Sequence, residues 1–371
     1  MPATQQSRRM NDSIVSVAHN IKLEGTRLPV TTLPLQHAVL LWLLFFVICC
    51  GLGYPTLSRY DPAHTEGLTD SIVYQQMVVG SPAPRSRVEV FGGRVLVPYT
   101  ARLVYSVVGS HLNTWNPVAL SILLSAALFC ATTALLLVIL GRCVVGNLNI
   151  SLLAATLYLL SFAIPNLQLA GLIDSGESLF MLALAWSLIS RKWWLLPVWG
   201  AGGVLAKETF LPFAAVFAIV WWLDSERKYS QSPAAPVWIS GMILLSVITL
   251  VLIRLALFGH AVWPWQIAAS MNSRTNFLIS LWNCISDRSF WYVFVWLLPL
   301  GVWRLGKLPR SWVMASIITA LVALLLGAYN DMAGTVARPI FNILGPMLSL
   351  SVAMLIARTP AQGFGSQYQT S

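Results

Sequence analysis

Three carboxylates, Asp61, Glu66 and Asp70, fall within ten residues of the stretch RYDPAHTEGLTDSIVYQQMV, residues 59–78. A carboxylate held in place can act as a general base toward a hydroxyl, and two together can hold a divalent cation. Plainer roles are open as well. Asp70 in the first turn of a helix is favoured by the helix dipole, and Asp61-Pro62 makes a turn. A second group, GLIDSGESLF at residues 171–180, sets Asp174 and Glu177 three apart on one helix face. That pair reads either as part of a site or as a capping box. A third, AKETF at residues 206–210, interrupts a long apolar stretch with Lys207 and Glu208. Ionisable groups at membrane depth are costly and face a cavity or a partner. Neighbours on a helix point apart, so these two need separate partners. A lysine there suits a phosphate, unless the turn reaches the lipid headgroups and the pair is solvated. The fourth, YNDMAGTVARPIF at residues 329–341, holds Asp331 and Arg338. Arg338 either clamps a phosphate, pairs with Asp331, or snorkels to the headgroups. Arg94 and Arg102 carry the same choice, and Arg254, near the end of a span, reads as a snorkelling residue.

The elements that must position these groups are apolar. Of 371 residues, 57% are hydrophobic and 10% charged, against about 25% charged in a soluble domain. Runs of 18 or more apolar residues recur from Leu35 to Ile356, and each can cross about 30 Å of hydrocarbon. The expected fold is all-α and integral to the membrane, with about ten spans. They are drawn at 35–54, 117–140, 149–165, 167–190, 193–207, 209–223, 236–258, 290–304, 311–329 and 338–357. The legs 193–207 and 209–223 are short enough to form a hairpin whose tip lies inside the membrane. Residues 1–34 and 358–371 read as cytoplasmic tails flanking a membrane domain over 35–357. The outer loops fall at 55–116 and 259–289. In the first loop, Thr69–Val79 and Arg94–Leu112 read as helices lying along the membrane.

Basic residues sort with this topology. The side bearing both termini holds 13 Lys/Arg against four acids, and the outer side with the spans holds 10 against nine. That is the positive-inside pattern. The net charge of +10 is therefore a topology signal that can also contact anionic lipid, and nucleic acid is not an expected partner. The five Cys show no CxxC spacing and read as unbridged apolar residues.

At the four polar stretches the chain resembles the C-type (GT-C) integral-membrane glycosyltransferases, in their little-characterised bacterial branch. Asp70-Ser-Ile-Val-Tyr74-Gln-Gln-Met77 looks like the family's acid with a tyrosine four residues on. Arg94-Val-Leu-Val-Pro98-Tyr-Thr-Ala-Arg102 looks like its Arg- and Pro-containing stretch before the second span. Asp174 with Glu177 resembles an acid pair opening a helix, Ala206-Lys207-Glu208-Thr209 the Lys-Glu-Thr turn, and Arg338 with Pro346 the closing Arg and Pro.

The resemblance covers residues 35–357. It implies inverting transfer of a sugar from a polyprenyl-phosphate donor to a glycan, lipid or protein acceptor at the outer face of a bacterial inner membrane. By the same resemblance the base is Asp70, or else Asp61. Glu66, Tyr74, Arg94, Arg102, Asp174, Glu177, Lys207, Glu208, Asp331 and Arg338 are the candidate substrate-binding residues. The first loop has no Asp-X-Asp, so a divalent cation stays open as a cofactor and no metal ligands are assigned. A transporter or lipid flippase, and a non-catalytic membrane scaffold, are the alternatives.

Overall fold

The computed structural model describes residues 33–59, 69–80, 93–111, 116–226, 234–261, 263, 266 and 276–357. Asp61 and Glu66, both terminal tails and much of both outer loops lie outside the described residues. The described residues are helical and contain no strand. In chain order the helices are α1 (Leu35–Gly53), α2 (Thr69–Val79), α3 (Leu96–Val108), α4 (Pro117–Val145), α5 (Leu148–Leu159), α6 (Asp174–Ile189) and α7 (Leu196–Ala206). They continue with α8 (Phe210–Glu226), α9 (Ala235–Phe258), α10 (Phe277–Ser286), α11 (Arg288–Phe294), α12 (Leu297–Val302), α13 (Arg310–Tyr329) and α14 (Ala337–Ile356).

Five of these, α1, α4, α9, α13 and α14, are long and apolar enough to cross a membrane. The others drawn as spans are shorter or broken. The expected span 149–165 is a helix only to Leu159, followed by a π-helical turn at Ile164–Gln168. The expected span 290–304 divides into α11 and α12. Large apolar side chains face outward on α1 (Leu35, Leu40, Leu44, Val47) and on α9 (Val237, Leu244, Leu252). An apolar exterior of this extent suits a protein bathed in lipid.

Local chemistry sets the helix ends. Asn116 caps α4, its Oδ1 accepting from the Val118 and Ala119 amides at 3.0 and 3.3 Å, and Pro117 occupies the first turn. Gly146, at φ 73, ends the helix, and Asn147 at once caps α5. The bundle centres on α4 and α14, the most buried of the long helices. Small residues let the backbones approach closely. A Cβ at Gly200 would sit 2.6 Å from Ser246 Oγ and 3.0 Å from the Met242 carbonyl, which is how α7 fits against α9. All five cysteines are free thiols.

Helix direction alternates. At one end of the bundle the Thr56 hydroxyl donates to the Gly53 and Leu169 carbonyls, tying the end of α1 to the segment before α6. At the other, Asp224 near the end of α8 accepts from Ser311 at 2.8 Å and pairs with Arg310 at 3.3 Å, at the start of α13.

One expectation changes. The segment read as a helix lying along the membrane, Arg94–Leu112, instead stands beside α4. Ser125 donates to the Val97 carbonyl, Ala101 packs with Ile122, and Tyr105 and Val118 belong to the same cluster. Residue numbers rise on α3 as they fall on α4, so the two helices are antiparallel neighbours. The inward residues Val97, Pro98 and Ala101 give α3 an apolar face that α4 buries, and burial on a partner helix outweighs the interfacial preference of an amphipathic segment.

Candidate functional site: a buried ionic cluster

The ends of α6, α7 and α8 and the start of α3 meet around five ionisable side chains. Lys207 stands where α7 stops: its backbone is extended, at φ −164 and ψ 132, and α8 resumes at Phe210. Turning the chain at Lys207-Glu208-Thr209 sends the two adjacent charges to different partners, as the sequence requires. The Lys207 ammonium donates to Asp174 Oδ1 at 2.6 Å and to Glu177 Oε2 at 3.2 Å. Glu208 goes the other way. Arg94 grips it side-on, Nε lying 2.9 and 3.0 Å from its two oxygens and Nη2 2.5 Å from Oε1. The remaining arm, Nη1, donates to the Tyr74 hydroxyl at 3.0 Å. Two-point pairing of this kind is the strong form of the arginine–carboxylate contact.

Asp174 is not a helix cap. The cap position of α6 is Ile173, with no side-chain cap bond, and Asp174 spends its carboxylate on Lys207. Gly176 lies between the two acids because nothing larger fits. A Cβ there would lie 2.9 Å from Ala206 and 3.1 Å from Val97, so this glycine lets α3, α6 and α7 converge.

Behind Glu177 runs a polar chain into the bundle. Thr209 donates to Glu177 Oε1 at 2.7 Å and the Asn342 amide to Oε2 at 2.9 Å. Gln168 in turn donates to Asn342 Oδ1 at 3.1 Å, and the Cys130 thiol donates to Gln168 at 3.3 Å. Gln168 sits in the π-helical turn, a geometry frequent at functional sites. Replacing Asn342 with Leu removes a donor from Glu177 and the acceptor of a buried amide. That is expected to cost about 1–3 kcal/mol, read as a lowered unfolding temperature in detergent. An unchanged midpoint would show that the chain carries no stability.

No protein-family model matches the chain, and no curated protein does. The chemistry of the site therefore rests on its own geometry.

Of the residues singled out from sequence, Tyr74, Arg94, Asp174, Glu177, Lys207 and Glu208 come together directly. Arg338, half-buried in the first turn of α14, lies within the electrostatic field of Asp174. Asp70 belongs to the first turn of α2, four residues before Tyr74. Two residues stay apart. Arg102 is exposed and lies against Gly80 at the end of α2. Asp331 is exposed at φ 52 and accepts from Ser280 of α10 at 2.9 Å.

Sequence reasoning missed Arg254, read as snorkelling. It is buried, 3% exposed, in the electrostatic reach of Glu208 and Arg94, with its guanidinium against Gly93. The signal was present: Ile239, Met242, Ser246, Leu250 and Arg254 recur at helical spacing along the one buried face of α9. Asn342 was legible in the same way, four residues after Arg338 and hence on its face. The site can thus hold charge of both signs in fixed positions, and it lies at one end of the bundle.

Proposed function

We propose that this chain is a membrane glycosyltransferase of the GT-C type, acting on a polyprenyl-phosphate sugar donor at the outer face of a bacterial inner membrane. The observation that carries this reading is the convergence of Arg94, Asp174, Glu177, Lys207 and Glu208 in one buried cluster at one end of the helices. Stability does not call for such a cluster, since apolar packing of equal volume serves a fold as well or better. On this reading the short helices complete about ten spans and both termini face the cytoplasm, as the charge sorting suggests.

In the proposed reaction an acceptor hydroxyl attacks the anomeric carbon. The bond from that carbon to the phosphate oxygen breaks with inversion, and the proton passes to the Asp70 carboxylate. The departing phosphate carries the negative charge that Arg338 and the neighbouring cations offset. Asp174 and Glu177, fixed by Lys207, Thr209 and Asn342, orient the sugar.

Purified protein in liposomes, supplied with the lipid-linked sugars extracted from the native membrane, is expected to yield a new glycosidic bond and free polyprenyl phosphate. The buried Lys207–Asp174–Glu177 triad also suits a transporter, where ionisable groups line a path. Movement of labelled lipid or solute across the bilayer without any covalent product would select that reading.

A further inference from the structure

The family resemblance leaves a divalent cation open, and the paired acids of α6 are two buried carboxylates that share one neighbour, Lys207. A magnesium, manganese or calcium ion collects about six oxygen ligands at roughly 2.0–2.6 Å, all presenting lone pairs. The surroundings of this pair are the reverse of that. Lys207 Nζ lies between Asp174 and Glu177, 2.6 and 3.2 Å from their oxygens. The other groups on Glu177 are also donors: the Thr209 hydroxyl on one oxygen and the Asn342 amide on the second.

The orientation of Asn342 decides the matter. Its carbonyl oxygen, the end a metal would take, accepts from Gln168, and Gln168 is held that way round by the Cys130 thiol donating to its own oxygen. Every bond from Cys130 to Glu177 therefore points its hydrogen toward the carboxylate. Among the described residues no group of three or more His, Cys, Asp or Glu is arranged to hold a metal ion. A dication beside the Lys207 ammonium would meet like charge at close range.

We infer that the Lys207 ammonium is the resident cation of the Asp174–Glu177 pair, occupying the place a divalent metal would need. The inference concerns the site of the proposed reaction, yet it is read out by metal binding and fails or survives independently of glycosyl transfer.

Manganese titration of the detergent-purified full chain, followed by the paramagnetic resonance of the free ion, tests it. Wild type and Glu177→Gln are expected to bind manganese equally, and EDTA or added magnesium should act equally on the unfolding midpoints of the two. Lys207→Met uncovers two carboxylates, and its manganese affinity is expected to rise about tenfold or more. The gain should vanish in Lys207→Met/Asp174→Asn. Wild-type binding that weakens tenfold in Glu177→Gln would overturn the inference, as would a folded Lys207→Met with no gain. Should Lys207→Met not fold, the comparison of wild type with Glu177→Gln decides alone.

Discussion

Arg94→Met is expected to destabilise the protein by about 3–5 kcal/mol, the range for removing one partner of a buried ion pair. Glu208 is 7% exposed and takes three of its contacts from Arg94 alone. Without the guanidinium, a carboxylate is left in an apolar interior and the Tyr74 hydroxyl loses its donor. Arg254 and Lys207 lie close enough to offset part of the charge, which places the effect toward the lower end of the range. Removing both charges behaves differently. In Arg94→Met/Glu208→Met neither group is stranded, and much of the lost stability should return, because desolvation of the pair is avoided as well. Thermal unfolding of the four proteins of this cycle in one detergent supplies the comparison. Single variants within about 0.5 kcal/mol of wild type would show that the pair is solvated after all.

The second large effect concerns chemistry. Asp70→Asn is expected to lower the rate of sugar transfer by about 10²–10⁴-fold, the usual contribution of a general base. Asn keeps the size of the side chain, and the loss of an acid from the first turn of α2 costs only about 0.3–1 kcal/mol through the helix dipole. Insertion and unfolding temperature should therefore stay near those of wild type. The position makes this a specific expectation, since α2 carries Tyr74, one turn further on, into contact with Arg94. Activity that persists in both Asp70→Asn and Asp61→Asn would remove the proposed mechanism while leaving the fold untouched.

What was legible in the sequence was what depends on neighbours along the chain. The helix read at Thr69–Val79 has those bounds, and the five long apolar helices fall where their hydropathy puts them. Both follow from local propensity and from length. Partners were not legible: Arg94 and Glu208 are 114 residues apart, and Asn342 and Glu177 are 165 apart. No local pattern ties such residues together. The turn at Lys207 lies between these cases. The sequence showed that its two charges need different partners, but only the fold reveals which. Arg254 was misread because a lone arginine near a helix end usually reaches outward, and the buried stripe of which it is the last member was given less weight than that habit.

The long helix α4 has a consequence for access. Its 29 residues span about 43 Å at 1.5 Å per residue, well over the roughly 30 Å of a hydrocarbon core. Val97, next to the charged floor, is level with Ser125, eight residues below the helix start, a descent of about 12 Å. With α3 lining that stretch, the charged groups sit at the foot of a parapet instead of at its rim. In the proposed reaction a reactant would have to reach down past it, which suits the slender end of a glycan or a lipid-borne headgroup better than the broad face of a folded protein.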